Sequence, residues 1–183
     1  MMWALSGLLP LLHFLNASEW MQFERQLVSP EWWRLPGSLL VHWNIEHALL
    51  NAGALAAVGA LLPARQRPWL ACALITGGLA SCAMLQLALP DVTHYRGASP
   101  LVAATLPIAI LTLWTRGASG RGIALVILAG VVAMAWAQAA GLAGSSVLPE
   151  GVRPTWELHL AGLLAGTPAA LASYRSRSIS PSS

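Results

Sequence analysis

Apolar residues run along this chain in blocks about as long as a bilayer is thick, and the polar residues collect between them. A membrane-crossing helix needs about 20 mostly apolar residues. Runs of that kind predict spans over 2–17, 44–62, 69–89, 98–115, 122–141 and 156–174. The breaks carry turn and charge signals: Leu62-Pro63 through Arg67-Pro68, Pro90-Asp91, Arg116-Gly117 through Arg121, and Pro149 through Pro154. The stretch from Ser18 to Val41 is longer and sets Trp20, Trp32 and Trp33 among charges. Such a composition suits a loop lying in the headgroup region. The first run has no basic residues ahead of it, so a signal peptide is not expected. The expected fold is an all-α membrane protein, a six-transmembrane-helix bundle over 1–174 with a short disordered polar tail, 175–183.

Composition sharpens this reading. The 183 residues are 56% hydrophobic and 9% charged, with a mean hydropathy of +0.62. A soluble domain carries about 25% charged residues, and so little charge suits a surface that faces lipid. The net charge of +3 does not point to nucleic acid, because the basic residues sit singly or in pairs between apolar runs and form no patch. All ten basic residues are Arg. With the abundance of Ala, that hints at a GC-rich bacterial genome, and hence at a bacterial cytoplasmic (inner) membrane. Cys72 and Cys82 lie ten residues apart on one apolar run. On a helix that is about 15 Å of rise, too far for a disulfide, so both are read as small buried hydrophobes.

Charge placement gives an orientation. With six spans, one side holds Arg65, Arg67, Arg116, Arg121, Arg175 and Arg177 and no acid. The other holds Arg25, Arg34, Arg96 and Arg153 with all seven acids: Glu19, Glu24, Glu31, Glu46, Asp91, Glu150 and Glu157. The positive-inside rule places the first side, and both termini, in the cytoplasm.

Polar groups inside a membrane helix are costly, and each is a candidate for function. In this topology His47 and Asn51 lie in the first turns of the second span, Ser99 starts the fourth, and His159 sits one turn into the sixth. All enter from the outer side, so they share one depth. A serine hydroxyl becomes a nucleophile when a base takes its proton, and His is the usual base near neutral pH. Attack on an amide creates an oxyanion that needs prealigned donors. His47 and Asn51, spaced i, i+4, share a helix face and could supply them. Since acids near this depth occur only at helix ends (Glu46 and Glu157), a Ser99–His159 dyad is expected. Gly162 and Gly166 make a small-xxx-small stripe that lets backbones approach, matched on the fourth span by Ser99 and Ala103. Ser99 with Pro100 behind it reads as an N-cap followed by a first-turn proline. Other roles exist for these residues: helix-packing glue for Ser99, or proton movement in a transporter for His47 and His159.

Together the motifs resemble the rhomboid family of intramembrane serine proteases. Glu31-Trp32-Trp33-Arg34, His42 and then His47-Ala48-Leu49-Leu50-Asn51 look like its Trp-Arg loop and HxxxN helix. Gly97-Ala98-Ser99 resembles the start of its GxSG motif, and His159 with Gly162 and Gly166 its final HxxGxxxG helix. The resemblance implies a rhomboid-like bundle in which Ser99 is the nucleophile, His159 the base, and His47 and Asn51 serve the oxyanion. Gly97, Gly162, Gly166 and Arg34 become structural residues near the site. It also implies cleavage of a single-pass membrane protein near its outer end, with no metal or cofactor. The small size looks like the bacterial rhombosortase branch, whose members are thought to remove Gly-Gly-type C-terminal anchors. Two positions depart from the pattern: Pro100 stands where the family has Gly, and Ala103 where many relatives carry an aromatic residue. The alternative expectation is an inactive rhomboid-like protein that binds and escorts membrane segments.

Overall fold

The structure, a computed structural model, describes residues 1–142, 148, 149, 152 and 154–179. Glu150 and Arg153, used in the charge argument, and residues 180–183 of the expected tail lie outside the described residues.

Each apolar run forms a helix. Helix α1 covers Met2–Phe14 and stops short of 17, where Asn16 takes a φ of 51°, a left-handed conformation that Asn tolerates. The Trp-rich stretch is folded rather than irregular. It contains the short helices α2 (Ser18–Met21) and α3 (Arg34–Gly37), with the two-residue strand β1 (Phe23–Glu24) between them. Helix α4, Ile45–Leu61, begins where the Asn44 side chain accepts from the His47 N–H at 2.8 Å, the usual side-chain cap of an orphan donor. It ends before Pro63. Helix α5, Arg67–Ala83, carries its proline in the first turn, where a missing N–H does no harm, and continues as a π-helical turn over Met84–Ala88.

Strand β2, His94–Tyr95, pairs antiparallel with β1, Phe23 opposite Tyr95 and Glu24 opposite His94. Among the described residues this small ladder is the departure from an all-helical chain. Helix α6 follows as Ser99–Trp114, α7 as Gly117–Ala139 and α8 as Trp156–Ile179. The last helix therefore continues through 175–179, where a disordered tail was expected. No Gly or Pro interrupts Arg175–Ile179, and a basic residue near a helix C-terminus suits its dipole.

Among the described residues two helices are long and apolar enough to cross a membrane: the continuous segment Ala64–Ala88, and α7. Helices α1, α4 and α6 are shorter and apolar. In the bundle α6 packs against α8, α5, α7 and α4, while α1 packs on α4. Leu9, Leu55, Leu70, Ala73, Ile108 and Ala170 meet in the main core. A second cluster, with Phe23, Leu39, Leu85, Tyr95, Leu101 and Leu158, fastens the Trp-rich stretch onto the helices. Outward-facing positions of α7, among them Leu125, Val126, Val132 and Trp136, are exposed and apolar, a surface that fits lipid better than water.

Arg25 joins these layers. Its guanidinium donates to the carbonyls of Leu85 and Leu89, both at 2.6 Å, and to that of Val92 at 3.1 Å. Its backbone N–H donates to Thr93 O. Carbonyls at a helix end lack intrahelical donors, and here an arginine from a distant segment supplies them.

Candidate active site

The close approach of α6 and α8 builds the site. A Cβ on Gly162 would overlap the Pro100 carbonyl, and one on Gly166 would overlap the carbonyl of Ala104. The two glycines are thus the stripe the sequence predicts, but the surface they meet is Pro100 and Ala104, not Ser99 and Ala103. The rotation of α6 about its axis explains the difference. Pro100 and Ala104 point their backbone at α8, which turns the Ser99 side chain sideways toward a cavity.

Ser99 is also not the N-cap. Ala98 takes that position, and no side chain caps the helix; the Ala98 carbonyl accepts from Leu101 and Val102 N–H. Ser99 is the first helical residue, so its hydroxyl is not engaged in capping. It lies 2.7 Å from Nε2 of His159, a normal O–H···N hydrogen-bond distance.

A cavity of about 770 Å³ opens over this pair. Ser99 and His159 line it together with His47 and Asn51 from α4, so the four expected side chains do meet. The Asn51 amide donates to the His47 carbonyl at 2.9 Å, which uses one of its two N–H groups. A smaller, mostly apolar cavity of about 380 Å³ shares Ser99, Asn51 and His159 and extends between α6, α7 and α8. Ala103 lines it; its small side chain leaves the space beside the His159 ring unfilled.

The structural residues fall into two groups. Gly97 borders the site: its φ is +154°, and a Cβ there would lie 3.1 Å from His47 Cε1 and 3.3 Å from the Tyr95 hydroxyl. Glycine is therefore required both by conformation and by space. Arg34 does not line the cavity. Buried in the Trp-rich stretch, it ion-pairs with Glu31 and donates to the carbonyls of Glu19 and Gln22, which folds α2 and α3 onto each other.

The motifs include His42 without giving it a role, and several residues outside them also border the site. His42 is 1% exposed and its Nε2 accepts from the Ala98 N–H at 3.2 Å, with its ring edge-on to His47 at 4.9 Å. Tyr95, also buried, donates to the Gly97 carbonyl at 2.9 Å and lies beside the Ser99 hydroxyl. Burial of the phenol raises its pKa, keeping it a donor. Gln22, Trp43 and Arg96 also line the cavity. One signal for Tyr95 and Arg96 was available: they directly precede Gly97-Ala98-Ser99, and any chain that fixes Ser99 must pass beside it. Among the described residues no three His, Cys, Asp or Glu side chains gather to hold a metal ion.

Chemically, a hydroxyl on an imidazole nitrogen, with amide and imidazole donors across a water-accessible cavity, can carry out acyl transfer. Comparison with known proteins yields no match among curated proteins and none among solved structures. The family model described as "Rhomboid domain" matches residues 29–176, a stretch holding every site residue named above except Gln22. The chain belongs to the rhomboid family, membrane proteins that are generally intramembrane serine proteases.

Proposed function

We propose that this chain is an intramembrane serine endopeptidase in which Ser99 and His159 form a catalytic dyad. The observation that carries the reading is the 2.7 Å approach of Ser99 Oγ to His159 Nε2 at the floor of a cavity shared with His47 and Asn51.

The reaction follows from those positions. His159 Nε2 takes the Ser99 proton as Oγ attacks the amide carbon, giving a tetrahedral oxyanion. His47, the second N–H of Asn51 and the Ser99 backbone N–H are the donors for that oxygen. The Ser99 N–H is among the first four of α6 and so has no intrahelical acceptor. The protonated His159 then gives its proton to the leaving amine, and the C–N bond breaks. Water, activated by His159 in turn, releases the acyl group and restores Ser99.

The substrate we assign is a single-pass protein held in the bilayer and cut near the outer face. The sorting of charges between alternate breaks supports six spans with both termini in the cytoplasm and the cavity toward the periplasm of a bacterial inner membrane. Within the family we place the chain nearest the rhombosortase branch, with Gly-Gly-type C-terminal anchors as substrates, on the motif resemblance set out above.

The test is chemical labelling. A fluorophosphonate probe is expected to label the purified protein at Ser99, with Ser99→Ala and His159→Ala abolishing labelling and substrate cleavage. Cleavage that persists in Ser99→Ala would overturn the proposal. Absent labelling with intact capture of membrane segments would instead favour an escort protein.

A further inference from the structure

Arg96 is the one arginine lining the cavity over Ser99 among the described residues, and nothing in the proposed chemistry uses it. Its side chain is held in place by neutral groups. Nε donates to Gln22 Oε1 at 2.8 Å, and the guanidinium stacks 4.7 Å from the centre of the Trp43 ring. The Gln22 amide in turn donates to Glu24 Oε2, on β1, at 3.5 Å. The ion pairs of the described residues are Arg34–Glu31 and His94–Glu24, and neither includes Arg96. Asp91 also lines the cavity but is not paired with Arg96. The two terminal nitrogens of Arg96 make no hydrogen bond among the described residues. A half-buried guanidinium, oriented through Nε and an aromatic face with both Nη groups left over, is arranged to take a planar oxyanion in two parallel hydrogen bonds.

We propose that Arg96 forms a subsite for a carboxylate of the membrane-anchored protein that enters this cavity: an Asp or Glu side chain close to the bond facing Ser99. The register follows from chain dimensions. Arg96 precedes Ser99 by three positions, and an extended chain spans at most about 3.6 Å per residue. The acidic residue therefore falls within roughly three or four substrate positions of that bond. A lipid phosphate offers the same oxyanion, but Arg96 shares its cavity with Ser99 and His159 and is screened by Trp43, a setting that a peptide in the site reaches more directly than a headgroup. The inference rests on the protease reading for the identity of the bond, not for the binding itself.

Binding is measured with the full-length Ser99→Ala protein in phosphatidylcholine vesicles, by energy transfer to labelled transmembrane peptides at pH 7.5. The peptides carry one Asp, Asn or Lys at successive outer juxtamembrane positions. At one register Asp is expected to bind about tenfold more tightly than Asn, and Lys more weakly than either. Arg96→Glu in the same background is expected to reverse the order, with Lys tightest; Arg96→Gln, should the reversal variant not fold, is expected to make Asp and Asn equal. Equal binding of Asp and Asn at every register overturns the proposal, as does an order unchanged by Arg96→Glu. So does an Arg96 effect that appears only when phosphatidylglycerol is added, since the anion is then a lipid headgroup. Because this protein cannot cut, failure of the protease reading is seen separately, as absent fluorophosphonate labelling of the unmutated chain.

Discussion

The imidazole of His42 accepts a hydrogen bond from the backbone N–H of Ala98 at 3.2 Å, so the turn between the Trp-rich stretch and α4 directly holds the residue before Ser99. Accepting at Nε2 places the ring proton on Nδ1 and requires a neutral ring. A second proton would set donor against donor.

That requirement gives His42 a pH signature. Burial, with a smaller contribution from the charges of His47 and His13, pushes its pKa down to about 3, against an opposing backbone hydrogen bond at Leu40. Above the ordinary value of about 6.5 the ring is neutral whether folded or not, and stability does not depend on it. Between about 6.5 and 3 the unfolded chain binds the proton and the folded one does not. Stability then falls with pH by up to about 1.4 kcal/mol per unit. Thermal unfolding in micelles from pH 7.5 to 4 is expected to fall more steeply for the native chain than for His42→Gln. Parallel curves would show that His42 does not contribute in this way.

Helix contact predicts a second result. Gly162→Ala or Gly166→Ala forces α8 away from the carbonyls of Pro100 and Ala104 and costs about 1–3 kcal/mol through overpacking. The Ser99–His159 hydrogen bond lengthens with it, so probe labelling falls along with the melting temperature. Gly53 of α4 has nothing within 4 Å of an added Cβ, and Gly53→Ala is expected to leave both measurements unchanged or slightly raised.

Much of this was legible in the sequence. The apolar runs located α1 and α4 through α8, because a helix in lipid must satisfy its backbone internally and so leaves a run of fixed minimum length. Ser99, His159, His47 and Asn51 could be brought together because similar depth follows from the order of spans. Helix rotation could not be read. Spacing identified Gly162 and Gly166 as a close-packing face but not whether Ser99 or Pro100 lay opposite. The two-residue ladder at Phe23–Glu24 and His94–Tyr95 was also hidden, since a period-2 pattern needs more than two residues to show.

Tyr95→Phe removes the hydroxyl that donates to the Gly97 carbonyl and lies beside the Ser99 hydroxyl. A buried acceptor left without its donor costs about 1–3 kcal/mol, and the turn before Ser99 loosens. Steady-state kinetics are expected to show kcat reduced about tenfold with KM little changed. Gly97→Ala, which meets His47 and the Tyr95 hydroxyl, is expected to be the more damaging of the two. The reverse order would contradict the space argument.

Oxyanion donors act on the transition state and not on the bound substrate. His47→Ala and Asn51→Ala are each expected to lower kcat by about 10²–10³ with KM nearly constant. A change confined to KM would place these residues in substrate binding.

The arginine at the end of α5 has a consequence for where that helix can lie. Leu85, Leu89 and Val92 give their carbonyls to Arg25, so this helix end carries its own solvation within the protein. It need not reach bulk water to be satisfied. Replacing Arg25 would leave those acceptors to be hydrated from outside.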